Sequence, residues 1–194
     1  EMQGGDPRNR LLARAPGVRL SAEQVRDQAL AVSGLLSDKM FGKSVMPYQP
    51  AGVWNSVYSG EYWKQSKGED QYRRSVYTYV KRTSMYPAMM MFDASTREVC
   101  VSRRIRTNTP LQALVTLNDS SFVVAARHFA GRMMENQNDP KEQIKIGYKQ
   151  LLMRDISSKK LDVLLRLYSK ALNEYEKNTE AATTLTADEK GSPQ

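Results

Sequence analysis

Helix-start signals that stand before runs of apolar residues constrain the fold of this chain more than any other feature. Ser21 and Gln24 form the S-x-x-Q pattern of a capping box, in which each side chain satisfies a free backbone N–H at a helix start. Thr109 and Gln112 repeat the pattern, and Pro110 stands at the first helical position, where its missing N–H costs nothing. The sequence therefore predicts helices that begin close to residues 21 and 109.

Two further starts follow, one at Asp139-Pro140 and one at Ser157 or Ser158. The apolar residues after the starts recur at helical spacing and are predicted to face a core: Val25, Ala29, Val32 and Leu36; Leu111, Leu114, Val115 and Leu117; Phe122, Ala126, Phe129 and Met133; Ile144, Tyr148, Leu151 and Leu152; Leu161, Leu164, Leu165, Tyr168 and Leu172. The first helix is predicted to stop between residues 38 and 42. The fold class is mainly α, an irregular helical domain of about five to seven helices.

The middle of the chain interrupts this pattern. Residues 43–68 contain two prolines, three glycines, both tryptophans and three tyrosines, and proline and glycine at that density break regular structure. The aromatic rings indicate a long loop that packs against the domain, because large rings gain from burial. Residues 70–83 fit a helix, but residues 76–80 also fit a strand, so one short strand pair stays open.

The length and composition fit one globular domain. Of the 194 residues, 40% are hydrophobic and 26% are charged, which is ordinary for a protein with one buried core. We assign residues 1–177 to a single helical domain and residues 178–194, which are small and polar, to a flexible tail. No apolar stretch approaches the roughly 18 to 20 residues that cross a bilayer, so the sequence predicts no membrane span.

The net charge of +8 is concentrated in one region. Residues 61–110 carry ten Lys and Arg against five Asp and Glu, whereas residues 111–194 carry twelve against eleven. A negatively charged partner should therefore meet the middle of the chain.

The candidate binding residues lie in and beside this basic region. Arginine suits bidentate contact with carboxylate, sulfate or phosphate, and the free N–H groups of the helix after Thr109 would add to an anion site. The candidates for binding an anion or a partner are Arg73, Arg74, Lys81, Arg82, Arg97, Arg103, Arg104, Arg106 and Asn108, with the aromatic residues Tyr48 and Trp54. In the alternative interpretation, these cations pair with Asp70, Asp93, Glu98 and loop carbonyls and hold an irregular region together.

Catalytic and metal-binding patterns are missing from the sequence. The single cysteine, Cys100, excludes an intrachain disulfide, and with the single histidine, His128, it excludes the common Cys/His zinc spacings and a C-x-x-C-H haem attachment. The V-C-V alternation predicts that Cys100 is buried, and His128 is predicted to lie at the surface of its helix. No paired acids, phosphate loop or nucleophile elbow is present. We expect no metal or cofactor in this chain.

Four segments resemble one known family: residues 19–36 (RLSAEQVRDQALAVSGLL), 45–54 (VMPYQPAGVW), 72–83 (YRRSVYTYVKRT) and 92–119 (FDASTREVCVSRRIRTNTPLQALVTLND). They are similar, in order, to the C-terminal domain of unknown function of planctomycete-type cytochrome c domain-containing proteins. The similarity runs from about Arg8 to about Glu174. Two departures are Val124, where many relatives have an acid, and the end at Gln194, beyond which relatives continue into another helix.

The resemblance implies the C-terminal module of an exported, multidomain protein of planctomycetes, Bacteroidetes and related bacteria. Such a module would be periplasmic or envelope-associated, and haem would belong to another domain of the full-length protein. The resemblance supplies no catalytic residues. If the further helix of the relatives normally packs here, its loss would expose an apolar groove.

Three hypotheses follow for function. In the first, an accessory or interaction domain binds an anionic polysaccharide or another domain of the same protein. In the second, an enzyme, a hydrolase or a redox-linked one, has a site completed by missing domains. Nucleic-acid binding is the lesser alternative, because no helix-turn-helix, RRM, KH or zinc-finger motif accompanies the charge.

Overall fold

A computed structural model of the chain describes residues 8, 10–11, 18–54, 60 and 62–186. Parts of the aromatic loop (residues 55–59 and 61) and of the polar tail (residues 187–194) therefore lie outside the described residues. Within them the fold is mainly α, as predicted. Seven α-helices are described: α1 (Ala22–Ser33), α2 (Pro87–Met91), α3 (Pro110–Asn118), α4 (Ser120–Asn136), α5 (Pro140–Leu152), α6 (Ser158–Lys177) and α7 (Thr179–Thr186).

Helix α1 begins as predicted and ends earlier. The Gln24 N–H donates to Ser21 Oγ at 3.4 Å, and the Ser21 N–H donates to Gln24 Oε1 at 2.9 Å, so the capping box forms. The predicted stop at residues 38–42 is wrong, because Gly34 adopts a left-handed conformation (φ 78°) directly after Ser33. Glycine takes this conformation without a steric penalty and ends the helix there.

The buried face of α1 differs from the predicted one. Its buried residues are Ala22, Arg26, Leu30 and Ser33, whereas Val25, Ala29 and Val32 are only half-buried. Helix α4 packs along α1, and the loop at residues 71–75 supplies acceptors for the arginine at the centre of the buried face. The spacing of apolar residues therefore predicted the wrong buried face of α1, because a polar residue, Arg26, occupies the centre of that face.

Residues 68–86 form neither the predicted helix nor a strand pair. Two 3-10 turns, Gly68–Tyr72 and Ser75–Tyr77, occupy this segment. Isolated bridges join Ser37 to Arg73 and Val45 to Thr78, but the described residues contain no continuous strand. Each bridge ends after one pair, because the 3-10 turns break the extended backbone.

Both tryptophans of the middle segment pack as predicted, whereas Tyr62 is exposed and Tyr58 lies outside the described residues. Trp54 is buried, and its ring centroid lies 5.2 Å from that of Trp63 and 6.1 Å from that of Tyr79. Trp63 stacks in turn on Tyr86, with 6.0 Å between ring centroids. Tyr86 belongs to the main core cluster, together with Ala22, Ala88 and Met89. Rings from the loop thus extend the small core between α1 and α2.

Several predicted core residues of the later helices are exposed. On α3, Leu111, Leu114 and Leu117 face outward, and on α5 Leu151 and Leu152 do so. Helices α4, α5 and α6 each pack against the next helix along the chain, and no second layer in the described part of the chain covers the outer apolar sides of these helices. The predictions hold for Phe129 and Leu161, which are buried.

Two further predictions concern single residues. Cys100 is exposed, which overturns the expected burial, because residues 94–109 run over the surface without a sheet partner. His128 is exposed on α4, as predicted. None of the helices in the described part of the chain is long and apolar enough to cross a membrane.

Candidate functional site

Arg73, a candidate binding residue, lies in the interior, where it organises loops. It is 2% exposed, and its guanidinium donates to the backbone carbonyls of Lys39 at 3.3 Å, Lys43 at 3.1 Å and Phe41. It also lies 4.0 Å from the ring centroid of Tyr77. Every nitrogen is therefore occupied, and Arg73 fits the interpretation in which the arginines hold an irregular region together.

Arg26 has a similar role on α1. Its Nη1 donates to the Arg73 carbonyl at 2.9 Å and to Ser75 Oγ at 3.2 Å, and its Nη2 donates to the Gln71 carbonyl at 2.7 Å. Burial lowers the pKa of Arg26, because a low-dielectric environment disfavours the charged form. The two buried guanidinium groups tie α1 to the loops at residues 39–43 and 71–75.

Other predicted arginines meet in one cleft, which we call the arginine cleft. It has a volume of about 400 Å³ and lies beside the N-terminus of α1. Four arginines line it, with two carboxylates on the α1 side: Arg74, Arg97, Arg104 and Arg106, and Glu23 and Asp27. The arginines come from segments up to about thirty residues apart, so the fold assembles the cleft.

The two carboxylates hold two of the arginines in place. Arg104 Nη1 donates to both carboxylate oxygens of Glu23 at 2.8 Å. Burial acts to raise the pKa of Glu23, but the hydrogen bond and charge of Arg104 outweigh it and lower the pKa below its ordinary value. Arg74 Nε lies 3.7 Å from Asp27 Oδ2, and Asp27 Oδ1 accepts the Ser75 N–H at 2.7 Å. An ionised Glu23 serves as an ion-pair partner rather than as a general acid.

Residues 94–109, the arginine segment, are clamped where the segment meets α3. Asp93 accepts the Thr107 N–H at 2.7 Å and the Thr107 hydroxyl at 2.9 Å, and Gln112 Nε2 donates to it at 3.3 Å. The backbone hydrogen bond from Thr107 is the main reason that the pKa of Asp93 is lowered. Gln112 is buried and accepts Arg19 Nη2 at 2.6 Å. Arg106 donates to the Arg19 carbonyl.

An open groove adjoins the arginine cleft. It has a volume of about 860 Å³ and is lined by Val18, Arg19, Ser21, Arg103, Arg104, Ile105 and Arg106. The two depressions share Ser21, Arg104 and Arg106, which form the wall between them. Together they carry six arginines against two carboxylates, so positive charge is in excess.

Arg97 and Arg103 differ from the other arginines of this surface. Their guanidinium groups form no salt bridge with any residue in the described ranges, and both residues are exposed. Arg97 has a left-handed backbone conformation (φ 59°), which residues other than glycine rarely adopt. These two groups are available to an incoming anion.

The remaining predicted residues do not line the arginine cleft. Lys81 Nζ lies 5.2 Å from the ring centroid of Trp54, and Trp54 itself is 6% exposed. Arg82 and Asn108 are exposed outside both depressions. Tyr48 accepts the Tyr86 hydroxyl with its backbone carbonyl at 2.8 Å. The fold thus brings the arginines together and separates them from these aromatic residues.

Sequence reasoning missed Arg19, Glu23 and Gln112 as parts of this site. Only one sequence feature pointed to Gln112, namely its place in the second capping box. In the structure, Gln112 Oε1 lies 3.5 Å from the Thr109 N–H. Nothing in the sequence indicated that Gln112 also bonds Arg19 and Asp93. Among the described residues, no group of three or more His, Cys, Asp or Glu could hold a metal ion.

Comparison with known families gives one match. The model of the family PSD1, described as a protein of unknown function (DUF1553), matches residues 1–168. No curated protein and no solved structure matches the chain. The match ends within α6 and includes the whole arginine cleft.

Proposed function

We propose that this chain, which belongs to the PSD1 family of proteins of unknown function (DUF1553), is an accessory domain. It binds anionic groups through the arginine cleft and its adjoining groove. One observation carries this proposal. Arg97 and Arg103 are exposed and without a salt bridge in the described residues, on a surface that holds six arginines against two carboxylates. Such a surface attracts anions at long range and can contact them directly.

The ligand class follows from the donors. A planar guanidinium binds a carboxylate or sulfate with two parallel hydrogen bonds. The depressions are open and adjoin one another, which suits a ligand with repeated anionic groups better than a small enclosed molecule. An anionic polysaccharide, with carboxylate or sulfate groups on successive sugars, has this form.

Affinity gels containing sulfated or uronic-acid polysaccharides test the proposal. We expect retardation at low salt that weakens as salt rises, because screening reduces charge attraction. The double variant Arg97→Ala/Arg103→Ala should bind at least tenfold more weakly, a loss of about 1.4 kcal/mol. The matched control is Arg82→Ala, which removes one exposed positive charge outside both depressions and should bind like the parent chain.

Two outcomes would count against the glycan. An absence of retardation at low salt would refute anion binding by this surface. Tighter binding to duplex or single-stranded nucleic acid than to either polysaccharide, with a steep salt dependence, would favour nucleic acid instead.

The cellular setting belongs to the same proposal. The family resemblance supports a module of an exported multidomain protein, periplasmic or envelope-associated, beside a haem-carrying cytochrome c domain. Another domain of that protein is then an alternative occupant of the cleft. Cell fractionation of the full-length protein tests the setting. Competition between polysaccharide and the separate upstream domains tests the alternative occupant.

A further inference from the structure

One side of α6 carries a stripe of residues that is symmetric about its centre. Residues three or four positions apart share one face of an α-helix. Five residues of α6 follow this spacing, and we call them the α6 stripe: Lys160, Val163, Leu167, Ala171 and Glu174. Leu167 is the central residue. Val163 and Ala171 each lie four positions from it, and Lys160 and Glu174 each lie seven positions from it.

The α6 stripe lies on a side of the helix that the domain leaves uncovered. Leu161, the buried residue of α6, marks the side that packs on α5. Leu167 lies about 120° around the helix from Leu161, because an α-helix has 3.6 residues per turn. Leu167 is 62% exposed and Val163 is 54% exposed, whereas Ala171 is half-buried. Two branched apolar side chains therefore meet solvent near the middle of this helix.

The two ends of the stripe carry opposite charges. Lys160 and Glu174 are exposed, and neither side chain forms a salt bridge or a hydrogen bond within the described part of the chain. The two residues are about 21 Å apart along the helix axis, because each residue adds about 1.5 Å. They cannot reach one another within one helix. Both charges are therefore available to groups from another molecule.

A second copy of α6 that runs antiparallel to the first matches this arrangement. A two-fold axis brings the same surface of two chains together. With the axis at Leu167, the two Leu167 side chains meet, and Val163 of each chain faces the smaller Ala171 of the other. Lys160 of each chain then meets Glu174 of the other. A parallel pair would instead place like charges opposite one another, and these repel.

We propose that the α6 stripe is a dimer interface, which packs antiparallel against the same stripe of a second copy of this chain. Burial of Leu167 and Val163 favours association, and the two Lys160–Glu174 pairs set its direction. Two helices of 20 residues bury an area at the small end of specific interfaces, so we expect a Kd on the order of 10 μM. None of the stripe residues lines the arginine cleft or its groove, so the inference does not depend on the function proposed for them.

Sedimentation equilibrium of the full chain tests the dimer, over concentrations from about 1 μM to about 1 mM. We expect the mass to rise with concentration from that of one chain to that of two. The variant Leu167→Lys places two like charges at the two-fold axis and should stay monomeric, while lysine keeps the helix propensity of leucine. The matched control is Leu117→Lys, which makes the same change at a residue of α3 that is 74% exposed and should dimerise like the parent. A parent chain that stays monomeric at about 1 mM, or a dimer that Leu167→Lys leaves intact, would overturn the proposal.

Charge reversal tests the direction of the pair and its partner. Lys160→Glu and Glu174→Lys should each raise Kd about tenfold, because each change turns two attractive pairs into repulsive ones. The double variant Lys160→Glu/Glu174→Lys should return to the parent Kd. An equimolar mixture of the two single variants should form a heterodimer more tightly than either variant dimerises alone, since each then supplies the charges that the other lacks. If neither the double variant nor the mixture recovers dimerisation, the antiparallel interface is refuted.

Discussion

Arg73 and Arg74 are adjacent in the sequence and have opposite environments. Arg73 and Arg74 lie between two 3-10 turns, and their side chains enter different surroundings. Arg73 points into the interior and donates to three carbonyls, whereas the Arg74 side chain is half-exposed and lines the arginine cleft. The same residue type therefore stabilises the fold at one position and lines the candidate site at the next.

This pair gives a stability prediction. Arg73→Met should lower the free energy of unfolding by about 2 to 4 kcal/mol, because it leaves three partly buried carbonyls without donors. Arg74→Met should cost less than about 1 kcal/mol, since its ion pair is long and partly exposed. Urea denaturation of both variants measures the difference. Equal losses would contradict the two environments.

At the scale of elements, α4 and α5 cross where α5 carries a glycine. A Cβ added to Gly147 would lie 2.2 Å from Met133 Sδ and 3.5 Å from the Phe129 ring, so the helices approach closely there. Gly131, on α4, has no neighbouring atom within 4 Å of an added Cβ. Both positions are helical, so they differ mainly in the space around them.

Alanine substitutions at the two glycines should therefore change the free energy of unfolding in opposite directions. Gly147→Ala should destabilise the protein by about 1 to 3 kcal/mol, because Met133 must move within a packed contact. Gly131→Ala should stabilise it by about 0.5 to 1 kcal/mol, since alanine has the better helix propensity and meets no atoms. The midpoints of denaturant unfolding, compared at equal slope m, give the sign of each change in stability. A gain of stability in both variants would show that Met133 moves at little cost.

The end of the arginine segment next to α3 is held by a clamp, formed by Asp93 with Thr107 and Gln112. Asp93→Ala should release the segment without unfolding the domain, because most of its residues are exposed and pack little. Trypsin should then cut after Arg103, Arg104 or Arg106 at least tenfold faster, which corresponds to about 1.4 kcal/mol of local opening. Glu98→Ala, a change within the segment that leaves the clamp intact, is the control and should be cut at the parent rate.

Acid should have the same effect as Asp93→Ala. The hydrogen bonds from Thr107 hold the pKa of Asp93 below its ordinary value of 3.8. The clamp's contribution is thus complete above that ordinary value and is lost as pH falls through the lowered folded pKa. An acid protease such as pepsin, used below pH 3.8 with Asp93→Asn for comparison, should cut the parent segment faster as pH falls and cut the variant at a nearly constant rate. A parent rate that does not change with pH would contradict the clamp.

At the scale of the whole molecule, the packing is denser in the first half than in the second. Buried residues concentrate in α1, α2 and the segments that pack against them, whereas α6 contains one buried residue, Leu161, and α7 contains none. The later helices form a series in which each packs on its neighbour. The assignment of residues 1–177 to one domain remains a prediction, and the structure adds that residues 179–186 of the predicted tail are helical.

A truncation tests that boundary. A chain that ends at Lys177 should unfold cooperatively and lose less than about 1 kcal/mol, because α7 buries no residue completely. A chain that ends at Leu152 should lose more, since it also lacks Leu161. Circular dichroism during urea denaturation compares the two. A large loss on removing α7 alone would place it inside the domain.

Local sequence determined the starts of several helices, because capping side chains act within four residues of the backbone groups that they satisfy. Ser21, Thr109 and Asp139 all stand at the predicted ends. The packing of Trp54 and Trp63 was also predictable, since large aromatic rings gain from burial wherever they lie. The excess of positive charge at residues 61–110 follows directly from the residue composition of that segment.

Only the tertiary structure decided which faces are buried and which arginines meet. Arg26 occupies the centre of the buried face of α1, and Leu114 lies outside, because burial depends on neighbours that are distant in sequence. The division between Arg73 in the interior and Arg97 at the cleft has the same origin. A guanidinium is buried where the folded loops present carbonyls to it and stays exposed where they do not. That geometry arises from contacts between segments, and local sequence does not encode it.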